Sequence, residues 1–153
     1  MATFHSRFNH RVAVWAVDFL FAQASWHLAN LDNLAVVKLL SRVIMDLADG
    51  EVKQGLYRYD TGQSFATYLE KSYCKTASLM ANSVQAAGVL SGESVEHQKL
   101  LHHFGRQLGL AFQVVDDILD FTGSEQQLGK PAASDLASGY LTAPALYALE
   151  EHL

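Results

Sequence analysis

One cysteine, Cys74, stands in a chain of 153 residues. An internal disulfide and a thiolate-based zinc site are thereby excluded, and the usage suits a reducing compartment. There are only 2 prolines and 10 glycines, so collagen-like and linker-like compositions do not fit. Positive charge is also scarce: 11 Lys and Arg face 16 Asp and Glu, a net of −5. No block of like charge forms, and the basic stripe that nucleic-acid binding requires is missing. An anion can still be held, but by local lysines or through a metal. The longest apolar stretch, Val12 to Ala24, is broken by Asp18 and Gln23. A membrane span needs about 18 nearly uninterrupted apolar residues, so no span is expected. The opening residues lack the apolar centre of a secretory signal. A cytoplasmic protein is the expectation.

Apolar side chain is plentiful: half of the residues are apolar and 18% are charged. That excludes a disordered tail and supplies a core for one domain. The apolar positions follow helical steps, and strand alternation is hard to find. Val14, Val17, Leu20, Phe21, Ala24 and Leu28 mark one face of a helix from Arg11 to about Asn30. After a turn at Asn30 to Asn33, Val37, Leu40, Ile44 and Leu47 mark a second helix from Leu34 to Leu56. Ser64 is placed to cap a third, running unbroken to about Leu90, and Glu93 or Ser94 starts a fourth that reaches Phe121. Thr122 to Gly139 carries loop chemistry, with one short helical turn near Ser134 to Ala137. Leu141 to His152 is helical again, with Pro144 tolerable in its first turn. The predicted fold is all-α, a bundle of long antiparallel helices in a single domain over residues 1–153.

The chemistry is concentrated in Gln113-Val114-Val115-Asp116-Asp117-Ile118-Leu119-Asp120. On a helix, Asp116 and Asp120 lie one turn apart, Gln113 lies one turn before Asp116, and Asp117 sits beside them. Three carboxylates so close repel one another, and no lysine or arginine lies among them. A hard divalent cation is the natural compensation; Mg²⁺ commonly takes one or two carboxylates and completes its shell with water and phosphate oxygens. The competing reading is a solvated acidic helix end. Its apolar flanks, Leu110 to Phe112 and Ile118, Leu119 and Phe121, argue for the metal. The loop beyond adds Gly129-Lys130-Pro131 and Ser134-Asp135, where a glycine admits close backbone approach and Lys130 can reach a phosphate.

Three further polar sets stand on apolar helices. Lys75-Thr76 precedes the run Ala77, Leu79, Ala81, whereas Lys71, one turn earlier, reads as a solvated lysine edge. Glu51 and Gln54 lie one turn apart on the second helix. Asp18, amid Val14, Val17, Phe19 and Leu20, is expected to be buried and to need a partner. Gly105 and Gly109, four apart, suit close helix packing. His97, His102 and His103 do not share a face in the manner of i, i+4 zinc ligands.

Taken together, these residues resemble the trans-isoprenyl diphosphate synthases, and within them the long-chain polyprenyl branch of solanesyl type. The carriers are Gly109 to Gly123 (GLAFQVVDDILDFTG), Leu128 to Pro131, Ser134 to Leu136, Asp18 to Gln23, Gly50 to Gln54, Tyr68 to Thr76 and Leu141 to Pro144. The similarity extends from Thr3 to Glu151. It implies a bundle of long helices around a deep cavity, here incomplete at both ends, and Mg²⁺-dependent head-to-tail condensation of isopentenyl diphosphate with an allylic diphosphate. By the same resemblance Asp116, Asp117 and Asp120 would hold Mg²⁺, while Lys75, Thr76, Gln113 and Lys130 would contact the allylic diphosphate. A homodimer, or a hetero-oligomer with a prenyltransferase subunit, is implied as well, in cytoplasm or plastid stroma.

The chain departs from the family pattern in places. The family's first DDxxD and its paired arginines are missing, and further family helices would follow Leu153. Asn9-His10 stands where Gly-Asn is usual, Val17 where Gly is usual, and Tyr140 where Asn or Lys is common. The alternative to an enzyme is a non-catalytic relative that associates with a full-length subunit.

Overall fold

The computed structural model describes residues 4–124, 129 and 131–152. They form eight α-helices and one π-helical turn, and no strand occurs among the described residues. In chain order these are α1 (Phe4–Phe8), α2 (His10–Ala29), α3 (Leu34–Leu56), α4 (Phe65–Ser72), the π-turn (Tyr73–Ala77), α5 (Ser78–Leu90), α6 (Val95–Thr122), α7 (Ser134–Ala137) and α8 (Ala143–His152).

The helix starts follow from side-chain oxygens that satisfy otherwise unpaired N–H groups. Asn33 accepts from Ala35 N and Val36 N, at 3.1 and 3.2 Å. Ser64 accepts from Thr67 N at 3.1 Å and Ser94 from His97 N at 3.2 Å. At α2 the capping residue is Asn9, with φ 73° and ψ 162°, and its side chain accepts from Val12 N at 3.0 Å. That backbone region belongs almost exclusively to glycine, which accounts for the glycine usual at this position in the resembled family. Asn9 retains the conformation and adds a cap.

The third predicted helix is not continuous. It splits into α4 and α5 around the π-turn, where Ser78 N bonds to Tyr73 O, five residues back. One extra residue is thereby accommodated, and Lys75 and Thr76 ride on the bulge. Such π-turns recur at functional sites because they re-aim side chains without ending the helix.

The main packing seam runs between α5 and α6. A Cβ on Gly109 would lie 2.5 Å from Ala77 Cα, and one on Gly105 would lie 2.8 Å from both Ala81 Cα and Met80 O. These glycines do permit close helix contact, as expected. Gly50 plays the same part for α3, whose Cβ would meet Lys75 N at 3.1 Å. Between α3 and α5 lies a buried polar knot: Ser78 Oγ donates to Asp46 Oδ2 at 2.5 Å, Arg42 Nε donates to Asp46 Oδ1 at 2.9 Å, and Asn82 Nδ2 donates to Ser78 O at 2.8 Å. A second core, of Tyr68, Leu141, Ala143 and Leu146, fastens α8 to α4, with Val114 of α6 packed against it.

The other face of the molecule is open. No residue of α2 is buried, and Trp15, Val17, Phe19, Leu20 and Trp26 are each more than half exposed. Asp18 is exposed too, contrary to the expectation of burial. Its apolar neighbours in sequence do not pack over it, because nothing among the described residues covers that side of α2. Contrary to the reading of no candidate span, α2 is long and apolar enough to cross a membrane by length and composition, a property that helices packed within proteins share.

Candidate active site

The C-terminal half of α6 turns its carboxylates in different directions. Asp117 is buried, and both of its oxygens are engaged. Tyr68 Oη donates to Oδ2 at 2.6 Å and Gln113 Nε2 donates to Oδ1 at 2.9 Å. Gln113 Oε1 in turn accepts from Thr76 Oγ1 at 2.7 Å. The chain Tyr68–Asp117–Gln113–Thr76 thus ties α4, α6 and the π-turn together. An ionised carboxylate can only accept, so it orients the Gln113 amide, and the oxygen of that amide must face Thr76. One of the two Gln113 N–H bonds is left for a ligand.

Asp120 is buried as well. Ser134 Oγ donates to its Oδ1 at 3.0 Å and Asp135 N to its Oδ2 at 3.2 Å, while Ala133 N bonds to its backbone oxygen at 2.7 Å. These bonds anchor α7 to the end of α6. Asp116, by contrast, is exposed. Among the described residues no three His, Cys, Asp or Glu side chains gather where one metal ion would sit. Of the three aspartates, Asp116 is the one whose side chain faces solvent.

Lys75 reaches back to α3. Its Nζ lies 2.5 Å from Gln54 Oε1 and 3.7 Å from Glu51 Oε1, so the Glu51 and Gln54 pair of the second helix lies beside Lys75. Lys130 lies outside the described residues. Lys71 is a correction: it is 8% exposed, not a solvated edge. Burial pushes its ammonium pKa down, with Asp117 and Asp135 opposing that shift and Lys75 adding to it. Burial, followed by the bond to Asp117, holds the Tyr68 phenol far above its ordinary range.

Lys71, Lys75, Gln113, Asp117 and Asp135 line a cavity of about 60 Å³, together with Gln54, Tyr68, Tyr140 and Thr142 among others. Tyr68 and Thr142 lie within stretches that carry the family resemblance, but reading by residue type assigned neither a role. The three-residue spacing of Tyr68 and Lys71, just under one turn on α4, signalled their nearness to each other, but only the crossing of α4 over α6 brings them to Asp117.

A π-turn bearing Lys-Thr, set against a helix that ends in DDxxD and a short loop helix locked onto its last aspartate, defines a class of protein. The chain belongs to the polyprenyl synthetase family, whose model matches residues 1–152. Over 150 residues it is 62% identical to a prenyl transferase of Synechocystis sp., a match covering 98% of this chain and 46% of that protein. It is 55% identical over 149 residues to the chloroplastic solanesyl-diphosphate synthase 2 of Oryza sativa subsp. japonica, covering 97% of this chain and 37% of that one. Among solved structures, the heptaprenyl diphosphate synthase of Staphylococcus aureus superposes with a TM-score of 0.93 at 32% identity, over 97% of this chain and 47% of that one. A polyprenyl synthase of Caulobacter crescentus, complexed with calcium and isoprenyl diphosphate, superposes at 0.89 with 36% identity, over 97% and 45%. The chain therefore spans about half the length of these relatives, and the all-helical isoprenoid-synthase fold is shared along it.

Proposed function

We propose that this chain carries one half of a Mg²⁺-dependent polyprenyl diphosphate synthase site and acts in the condensation of isopentenyl diphosphate with an allylic diphosphate. The observation that carries this reading is the convergence of Lys75, Gln113 and Asp117 on one small cavity, with Thr76 hydrogen-bonded to Gln113 from the π-turn. A diphosphate leaving group needs its developing charge met by fixed donors. Lys75 supplies a cation, Gln113 one free N–H, and the Tyr68–Asp117 contact keeps that N–H aimed. Lys130 joins the set on the strength of the family pattern. Bound at Asp116, with Asp117 and Asp120 behind it in the motif, Mg²⁺ would polarise the diphosphate and lower the barrier to its departure. The residues on the chain itself bind, orient and neutralise the diphosphate.

The open apolar face of α2 supports assembly with a second copy or with a longer prenyltransferase subunit, because contiguous apolar surface of this kind marks association. Cytoplasm and plastid stroma both accord with relatives from a cyanobacterium and from chloroplasts.

The test is calorimetric titration of the chain with an allylic diphosphate analogue in Mg²⁺, alongside Asp116→Ala. Binding by the unsubstituted chain that disappears in Asp116→Ala is expected. Equal binding by both would remove Asp116 from the metal site. A prenyl-transfer assay on the chain alone, then with a full-length homologue added, separates a self-sufficient site from one that needs a partner.

A further inference from the structure

We propose that Lys71 is a second ammonium of the diphosphate site, standing one turn behind Lys75 and donating to a phosphate oxygen of the bound diphosphate. The proposal rests on the reading of the site given above and deepens it.

Lysine is almost never buried unless it is paired. Lys71 is more than nine-tenths buried, yet no hydrogen bond or ion pair joins its Nζ to another described residue. What it meets is the face of the Tyr68 ring, with Nζ 6.0 Å from the centroid, a contact of modest strength. Asp117, the carboxylate on α6 that faces it, has one oxygen taken by Tyr68 and the other by Gln113. Asp135, at the start of α7, gives its backbone N–H to Asp120. The Asp135 side chain also lines the cavity and attracts Lys71 at longer range without a hydrogen bond or ion pair to it, and Lys75 has the same sign as Lys71. Three N–H donors of an ammonium are thus turned into a polar space with no acceptor committed to them.

A second, independent group points the same way. Thr142 lines this cavity, and its Oγ1 is buried with no hydrogen-bond partner. The space of about 60 Å³ is several times the roughly 10–15 Å³ that admits one water, so it takes several waters or a small polar group. Two ammonium groups one turn apart, one free amide N–H on Gln113 and an unsatisfied hydroxyl select a compact, multiply charged oxyanion. A diphosphate has that chemistry. Burial already disfavours the Lys71 ammonium, and an anion in the cavity would relieve that penalty.

The alternative is that the stem of Lys71 merely packs on Tyr68. Lys71→Met keeps the stem and removes the charge. Mg²⁺ with inorganic pyrophosphate is titrated into the full chain, into Lys71→Met and into Lys71→Arg, and each is melted with and without pyrophosphate. The expected result is at least tenfold weaker pyrophosphate binding in Lys71→Met, near-normal binding in Lys71→Arg, and a higher melting temperature for ligand-free Lys71→Met, because an unpaired buried charge is gone. Should Lys71→Met fail to melt cooperatively, Lys71→Gln takes its place in the same comparison. Unaltered pyrophosphate binding in the charge-free variant overturns the proposal and leaves the diphosphate reading standing. Absence of binding by the unsubstituted chain overturns the diphosphate reading and the proposal with it.

Discussion

The two halves of α6 are held by opposite means. Toward its middle, Gly105 and Gly109 bring the backbone against α5 and the π-turn with no side chain between, and distances from a notional Cβ as short as 2.5 Å leave no tolerance. Toward its end, the helix is held by directed hydrogen bonds: Tyr68 and Gln113 on Asp117, Ser134 and Asp135 on Asp120. The first half fixes where the backbone runs. The second half fixes where charge is placed. The lesson is that a close-packed seam can serve as a rigid base for a polar site, since packed cores transmit rather than absorb small displacements.

The contrast can be broken most severely at the seam. Gly109→Val should destabilise the chain by about 3 kcal/mol or more, because the obstructing atoms are the backbone and Cβ of Ala77, which cannot swing aside. Urea unfolding monitored by circular dichroism would show it. A loss below about 1 kcal/mol would mean that α5 and α6 slide apart easily, and the rigid-base idea would fail.

Tyr68→Phe should cost less, about 2 kcal/mol, since it leaves a buried carboxylate oxygen on Asp117 without its donor. It should also weaken diphosphate binding by freeing the Gln113 amide to flip. A stability change with no change in binding would confine Tyr68 to the core.

Asp116→Ala is expected to move stability by no more than about 0.5 kcal/mol, as exposed positions generally do, while abolishing Mg²⁺-dependent diphosphate binding. That divergence would sharpen the contrast between carboxylates that hold the fold and the one that is open to a ligand.

The smallest effect concerns pH. Burial, then the neighbouring charges of Arg106 and His103, holds the His102 pKa below its ordinary 6.5. In the window between that lowered value and 6.5, the unfolded chain binds more protons than the folded one. Stability therefore declines as pH falls through this window and levels off below the folded pKa. Comparing urea midpoints of the chain and of His102→Gln from pH 7 to 5 would reveal a shallower decline in the variant. Identical slopes would assign the decline to other groups.

Much of the fold was legible in the chain. Ser64 announced one helix start, and the turn at Asn30 to Asn33 and the pair Glu93 or Ser94 bracketed two more, because capping chemistry is local: a short oxygen-bearing side chain meets an N–H two or three residues on, here from Asn33, Ser64 and Ser94. Gly105 and Gly109 announced the seam for a similar reason. The π-turn was not legible. Nothing in Tyr73-Cys74-Lys75-Thr76-Ala77 forbids an ordinary helix, and the bulge lies where the chain passes close to Gly50 on one side and Gly109 on the other. Asp18 and Lys71 were read with the wrong burial, in opposite directions. Burial depends on what lies across from a helix face, and neither the open side of α2 nor the crossing of α4 with α6 and α8 is encoded within one turn of those residues.

What the sequence by itself determined is the set of chemical groups and the helices that bear them: aspartates on the last turns of α6, Lys-Thr on the third predicted helix, Glu51 and Gln54 on α3. These follow from side-chain identity and a 3.6-residue period, both local properties. What only the tertiary structure decided is the allocation of those groups. Asp117 and Asp120 became structural acceptors, Asp116 stayed open, and Lys71 was sealed beside Lys75 in a cavity lined also by Thr142. The reason is physical: a carboxylate or an ammonium takes its role from the donors, acceptors and solvent that folding brings to it. Those partners come from helices far apart in the chain.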